Sequence, residues 1–254
     1  MSGIATERRG AVAEIVFDRP QKRNAITVAM YAAMADAVEA AEADDSVRVV
    51  LFHGRGGAFT AGNDLADFLA NPPDSPERPV FRFLRALAAA RKPLVAAVEG
   101  PAVGIGTTML LHCDFVLAAD TARFALPFVN LGLVPEAASS LLLPRLVGYQ
   151  RAAELLMLGE PFDAVTAERI GLVGRVGPAA DLLAAARALA DRLAAKAPEA
   201  LRATKALLKS ASGSVAERLV EEAAVFARQL QSAELKEAVA AFFEKRAPDF
   251  SRHG

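Results

Sequence analysis

Between Phe124 and Pro144 the chain reads FALPFVNLGLVPEAASSLLLP, and Glu136 is the only ionisable side chain in that stretch. A carboxylate among apolar residues loses solvation. Its charged form is disfavoured, and it becomes a better proton acceptor near neutral pH. Two upstream glycine segments, GRGGAFTAGNDL from Gly54 to Leu65 and EGPAVGIGTTM from Glu99 to Met109, supply what such a base needs. They can turn backbone N–H groups toward a developing negative charge.

Each of these features also has a plainer reading. Gly57-x4-Gly62 resembles part of a phosphate loop, but Asn63-Asp64 stands where Lys-Ser/Thr is required, which excludes a nucleotide site of that type. What is left is either an N–H cradle or an ordinary strand-to-helix turn. Gly104-x-Gly106 hints at a dinucleotide fingerprint, but Met109 occupies the third glycine position. The remainder is a glycine turn feeding a helix N-terminus. It either favours an anion or simply lets strand and helix pack closely. Pro135-Glu136 also matches a common helix start. His53, at a strand end, and His112, on an apolar helix, read as structural. Neither they nor His253 stand at metal-ligand spacing, so no metal is expected. Cys113 precedes Asp114 and has no activating base, so it reads as buried and inert. No G-x-S-x-G nucleophile elbow occurs.

The elements that must position these residues can be outlined from their patterns. Strands are expected at Val12–Phe17, Val47–His53, Leu94–Val98, Phe115–Ala118 and Arg123–Ala125. Helices are expected from Val28 to Glu42 behind a Thr27 cap, from Pro79 to about Arg91, and from Gly106 to about His112. This order argues for an α/β domain. After about Gly177 the chain turns helical over Asp181–Lys196, Pro198–Ser210, Ser214–Gln231 and Ser232–Lys245. Those helices carry many apolar residues, which either pack on the α/β core or form an oligomerisation layer.

Composition bounds the rest. At 254 residues, 53% apolar and 23% charged, the chain is globular and can bury a substantial core. A net charge of -1 gives no field to recruit nucleic acid or an acidic membrane. One cysteine allows no internal disulfide and fits a reducing cytoplasm. The N-terminal segment lacks the apolar core of a signal peptide, and no apolar run approaches the ~18 residues of a membrane span.

Taken together, Arg23-Asn24-Ala25, AFTAGNDL, AAVEGPAVGIG, RFALPFVNLGLVPEAASSLLLPRLVG, GEPFDAVTAERIGLVGRV and AFFEKRAPDF resemble the crotonase, or enoyl-CoA hydratase/isomerase, superfamily. The resemblance covers nearly the whole chain. It implies a ClpP-like spiral of ββα units over residues 1–196 and a C-terminal helical trimerisation region over residues 197–254. It also implies a homotrimer or a hexamer built as a dimer of trimers.

The implied substrate is an acyl-CoA thioester, with no cofactor beyond the substrate's own CoA. Its carbonyl oxygen would be held by the N–H groups of Ala61 and Ile105. The two glutamates of family hydratases fall at Thr108 and Phe128, which instead become substrate-pocket residues. The pattern LPFVNLGLVPEAASS with AGNDLADF is closest to peroxisomal-type Δ3,Δ2-enoyl-CoA isomerases, and this makes Glu136 the single catalytic acid-base. CoA contacts are implied at Arg23, Asn24, Ala25, Gly62, Asn63 and Asp64, with Asn63 and Asp64 organising their loop rather than performing chemistry. Phe242 and Lys245 would reach a neighbouring subunit's CoA. The alternatives are a hydratase or ring-modifying isomerase, and a non-catalytic acyl-CoA-binding protein.

Overall fold

The computed structural model describes residues 3–72, 75–210 and 213–251. Its main sheet has six strands in the order β1-β2-β3-β4-β6-β9: β1 Ile4–Arg9, β2 Val12–Phe17, β3 Val49–Gly54, β4 Leu94–Val98, β6 Phe115–Ala119 and β9 Arg175–Gly177. The β1/β2 pair is antiparallel and every other pair is parallel. A second sheet joins β5 Pro101–Val103, β7 Arg123–Ala125 and β8 Phe162–Asp163.

Parallel strands need both faces covered, and here helices supply the cover. On one face, α1 (Val28–Ala43) and α3 (Pro79–Ala89) bring Met30, Tyr31, Met34, Val38, Phe83 and Leu87 against Ile15, Phe17, Val50, Phe52 and Ala96. On the other, Leu182, Ala186, Ala190 and Leu193 of a helix at Ala179–Ala194 cover Val12, Val49, Leu51, Val95 and Leu117. This is why all six residues of β2 and all five of β4 are buried, although a half-exposed strand would alternate. Glu14 lies on the second face, almost fully buried. Burial raises its carboxyl pKa, but hydrogen bonds from Arg187 and Arg9 outweigh that and hold it below the usual carboxylate range.

Thr27 caps α1 as expected, its side chain accepting from the Met30 N–H at 3.3 Å. β1, not expected from the sequence, is an edge strand whose residues are only half buried, so its apolar alternation is weak. The expected helix at residues 106–112 is α4 (Ile105–Thr108), which tightens into a 3₁₀ turn over Met109–His112. Between the two sheets' loops and the tail lie α2 (Leu65–Ala70), α5 (Ser139–Val147), α6 (Tyr149–Ala153) and α7 (Ala164–Arg169). The helix at Ala179–Ala194 is α8.

The tail folds as α9 (Pro198–Lys209), α10 (Val215–Gln229) and α11 (Ala233–Glu244). Buried Glu234 accepts the N–H groups of Glu199 and Ala200 at 2.6 and 3.1 Å, closing the α9 start with a carboxylate. Leu219, Val220, Phe226, Phe242 and Phe243 on this tail remain exposed.

Candidate active site

Three loops build the site, and backbone pairing decides their shape. The first leaves β3 at Gly54 and lies against the second. The Phe59 N–H donates to Glu99 O, the Thr60 N–H to Pro101 O, and the Val103 N–H back to Thr60 O, at 2.6–3.1 Å. The contact is close enough that only glycine fits. A Cβ on Gly62 would lie 2.8 Å from Val103 O, and one on Gly106 2.5 Å from the Thr60 methyl.

Most N–H groups of the first loop are already engaged. Ala61 N–H donates to Arg23 O at 2.9 Å, Gly62 N–H to the Thr60 hydroxyl at 3.1 Å, and Asp64 N–H to Ile26 O at 2.8 Å. Among the described residues, Asn63 N–H meets no acceptor. This corrects the expectation for Ala61: its N–H is committed to the Arg23 loop, and the unpaired N–H on a residue that lines the same cavity as Glu136 belongs to Asn63, two residues on. In the second loop, Gly104 N–H donates to Ala125 O, while Thr107 and Thr108 N–H turn back onto Gly104 O. The Ile105 N–H, first of α4, has no acceptor among the described residues, as expected for a helix start.

The third loop carries Glu136. It is not the helix start that Pro135-Glu136 suggested. α5 begins only at Ser139, and Ala137 and Ala138 both adopt left-handed backbone, at φ 54° and 55°. Such geometry costs on the order of 1 kcal/mol per residue and persists only when its surroundings over-determine it. Here they do. Ser139 donates to Glu136 O from its N–H at 2.9 Å and its hydroxyl at 2.6 Å, and His112 Nε2 lies 2.8 Å from Ala137 O. A carbonyl can only accept, so Nε2 carries the proton. Burial lowers the His112 pKa, which keeps the ring neutral at pH 7.

Glu136 lines a cavity of about 860 Å³ and is the one carboxylate among its described lining residues. Phe68, Val80, Phe81, Leu84, Phe128, Leu133 and Val134 make the wall apolar. Burial raises the Glu136 carboxyl to about 7, against a smaller lowering by the Thr108 hydroxyl, which lies 2.5 Å from Oε1. Thr108 and Ile105 are buried behind the wall, three residues apart on α4. Phe128 lines the cavity and packs with Leu126, Leu143, Leu155 and Leu156. The two positions at which the resemblance implies hydratase acids thus hold a hydroxyl bonded to this carboxylate and a phenyl ring on the same cavity wall.

Tyr31 was not singled out in the sequence. It lines the cavity, donates to Asn63 Oδ1 at 2.6 Å, and has its pKa held well above 10 by burial and then by the Glu136 charge. A tyrosine on the buried face of α1 was the available signal, since a buried phenol requires a polar partner.

The other expected residues divide. Arg23 and Asn24 meet the first loop, their carbonyls accepting the Ala61 N–H and the Thr60 hydroxyl, whereas the Ala25 carbonyl takes Arg19; the Asn24 side chain is consumed inside the fold. It accepts from Arg19 N–H and donates to Arg55 O and Ala58 O, which leaves only backbone for a ligand. Asp64 accepts from Arg19 at 2.7 Å and caps α2, so its side chain is engaged in holding the loop. Phe242 and Lys245, at the end of α11, do not line this cavity. His53 bonds Glu14 in the sheet, and His253 lies outside the described residues.

No group of three or more His, Cys, Asp or Glu among the described residues is placed to hold a metal. No described helix is long and apolar enough to cross a membrane. A second groove, of about 750 Å³, includes Cys113, whose thiol burial pushes up to about 12, which leaves no nucleophile there.

Residues 7–253 match the family described as enoyl-CoA hydratase/isomerase. A solved protein of Magnetospirillum magneticum AMB-1, named as an enoyl-CoA hydratase/carnithine racemase, is 50% identical. The match covers 99% of each chain with a TM-score of 0.96. A solved enoyl-CoA hydratase/isomerase of Pseudoalteromonas atlantica T6c is 44% identical over 98% of this chain and 99% of its own, with a TM-score of 0.80. The 2,3-dehydroadipyl-CoA hydratase of Escherichia coli K12 is 36% identical over 98% of this chain and 99% of its own. Hydratase is the name that recurs among the curated relatives.

Proposed function

The chain belongs to the enoyl-CoA hydratase/isomerase family, and within it we propose that this protein is a Δ3,Δ2-enoyl-CoA isomerase acting through Glu136. The observation that carries this reading is one carboxylate facing an apolar cavity, with threonine and phenylalanine where a hydratase needs two water-positioning acids.

The thioester oxygen of a 3-enoyl-CoA accepts the N–H groups of Asn63 and Ile105. Glu136 takes a proton from C2. The C–H electron pair moves toward the carbonyl, and charge collects on the thioester oxygen. Each preorganised donor contributes on the order of 3 kcal/mol to that step. The proton then returns at C4 as the C3=C4 pair shifts, giving trans-2-enoyl-CoA with no net change in atoms. A single base near pKa 7 suits both halves, since it must accept a proton and give it back. Phe128 and the apolar wall keep water from adding to the product.

No cofactor beyond the CoA of the substrate enters this scheme. The exposed tail residues Phe226, Phe242 and Phe243 support a trimer, or a dimer of trimers, in which Phe242 and Lys245 reach a neighbouring subunit's CoA. A cytoplasmic location fits the lone, half-buried free cysteine.

The relatives' names favour a second reading, hydration. Incubating the pure protein separately with 3-enoyl-CoA and 2-enoyl-CoA distinguishes the two. Conjugated thioester absorbance without 3-hydroxyacyl product supports isomerisation. Hydroxyacyl product from 2-enoyl-CoA at a comparable rate replaces it with hydration.

A further inference from the structure

We propose that Thr108 is a positioning residue: its hydroxyl ties down one oxygen of Glu136, so that the other, Oε2, alone carries the proton between the two substrate carbons. This rests on the isomerase reading and specifies how one carboxylate serves two carbons.

The backbone of Glu136 is already fixed. Its carbonyl takes both donors of Ser139, and the next carbonyl takes His112. What remains free is the side chain, with three rotatable bonds. Thr108 Oγ1 lies 2.5 Å from Oε1, and that is the one hydrogen bond of the carboxylate among the described residues. The hydroxyl has a single hydrogen and no other partner there, so its hydrogen points at Oε1. A lone pair that accepts a hydrogen bond is less basic than a free one, so the proton goes to Oε2.

Thr108 can hold this position because it is itself immobile. It is fully buried, and its N–H is bonded to Gly104 O at 2.9 Å. Thr108 also lies three residues after Ile105 on the same helical turn, so the two project on one face of α4. The proton carrier is therefore registered against the thioester oxygen through one rigid turn. A displacement of about 1 Å between those groups can cost about a hundredfold in rate.

The test uses Thr108→Val, which keeps the shape and removes the hydroxyl, and Thr108→Ser, which keeps the hydroxyl. One readout needs no substrate. The Glu136 carboxyl band is followed against pH by infrared difference spectroscopy and identified by its loss in Glu136→Gln. The valine variant is expected to titrate at higher pH than wild type, and the serine variant near wild type. The second readout is solvent deuterium exchange at C2. Valine is expected to lower kcat at least tenfold with KM little changed and to move the acidic inflection upward, while serine restores both.

A folded Thr108→Val protein with the wild-type titration and exchange profile overturns the proposal. If the carboxyl titration moves but wild type itself exchanges no C2 proton, the isomerase reading fails, and the assignment of Oε2 as proton carrier fails with it. If wild type exchanges normally and valine leaves its pH profile unchanged, only the Thr108 role fails.

Discussion

The sharpest consequence of the site is that activity and stability should respond to pH in opposite directions through the same carboxylate. Glu136 sits at about 7, displaced upward from 4.5 by burial. Only its ionised form can take the C2 proton. At pH 6 about one-tenth of it is ionised, so kcat/KM for isomerisation should lie about tenfold below its plateau, which is reached above about pH 8. Stability runs the other way. Between pH 4.5 and 7 the folded protein keeps a proton that the unfolded chain has released, so unfolding free energy falls as pH rises across that window and then levels off. At about 1.4 kcal/mol per pKa unit, the shift amounts to about 3 kcal/mol. Glu136→Gln keeps the shape, lacks the titration, and should abolish exchange while leaving acyl-CoA affinity nearly intact. Relative to wild type it should gain stability progressively from pH 4.5 to 7, approaching that 3 kcal/mol at pH 8. Denaturant titrations of both proteins at four pH values, beside deuterium exchange at C2, measure the two slopes. A wild-type activity inflection near 4.5, a stability difference independent of pH, or wild-type exchange in the glutamine variant would refute the assignment of Glu136 as a buried base.

The remaining predictions concern the groups around it. Ile105→Pro removes a free N–H at the first position of α4, where proline fits a helix. The variant should therefore fold, by circular dichroism, yet lose about 10²–10³ in turnover; a folded variant with the wild-type rate would exclude Ile105 as an oxyanion donor. Phe128→Glu restores one hydratase acid but places it among Leu126, Leu143, Leu155 and Leu156. It should lower stability by about 2 kcal/mol or more and gain no measurable 3-hydroxyacyl product, because Thr108 still leaves the second acid position empty. Sedimentation at micromolar protein should give a trimer or hexamer; a 26.7 kDa monomer would remove the cross-subunit role of Phe242 and Lys245.

What the sequence disclosed and what it hid follow from the range of the forces involved. VAEIVF and LVAAV are strands because their residues suit a buried sheet whatever surrounds them, and both were legible to the residue. Thr27 was legible as a cap because a cap acts within one helical turn. The raised carboxyl of Glu136 was legible because apolar neighbours in sequence, Phe128, Leu133 and Val134, also line its cavity.

Its backbone was not legible. Two consecutive alanines in left-handed geometry contradict their own preference, and they are held there by His112 and Ser139, one of which comes from a different element. The free N–H was misplaced at Ala61 for the same reason. Asn63 is bridged to Ile26 through the Gly62 carbonyl and the Asp64 N–H, so the register of that pairing decides which N–H stays unpaired, and residue type does not report it. Thr108 shows the point most directly. Read along the chain, it is a missing hydratase acid. Read in space, it is the group that touches the acid which remains. On the isomerase reading, a hydroxyl standing where the family resemblance implies an acid is not simply lost chemistry, because it bears on the single carboxylate that would move the proton.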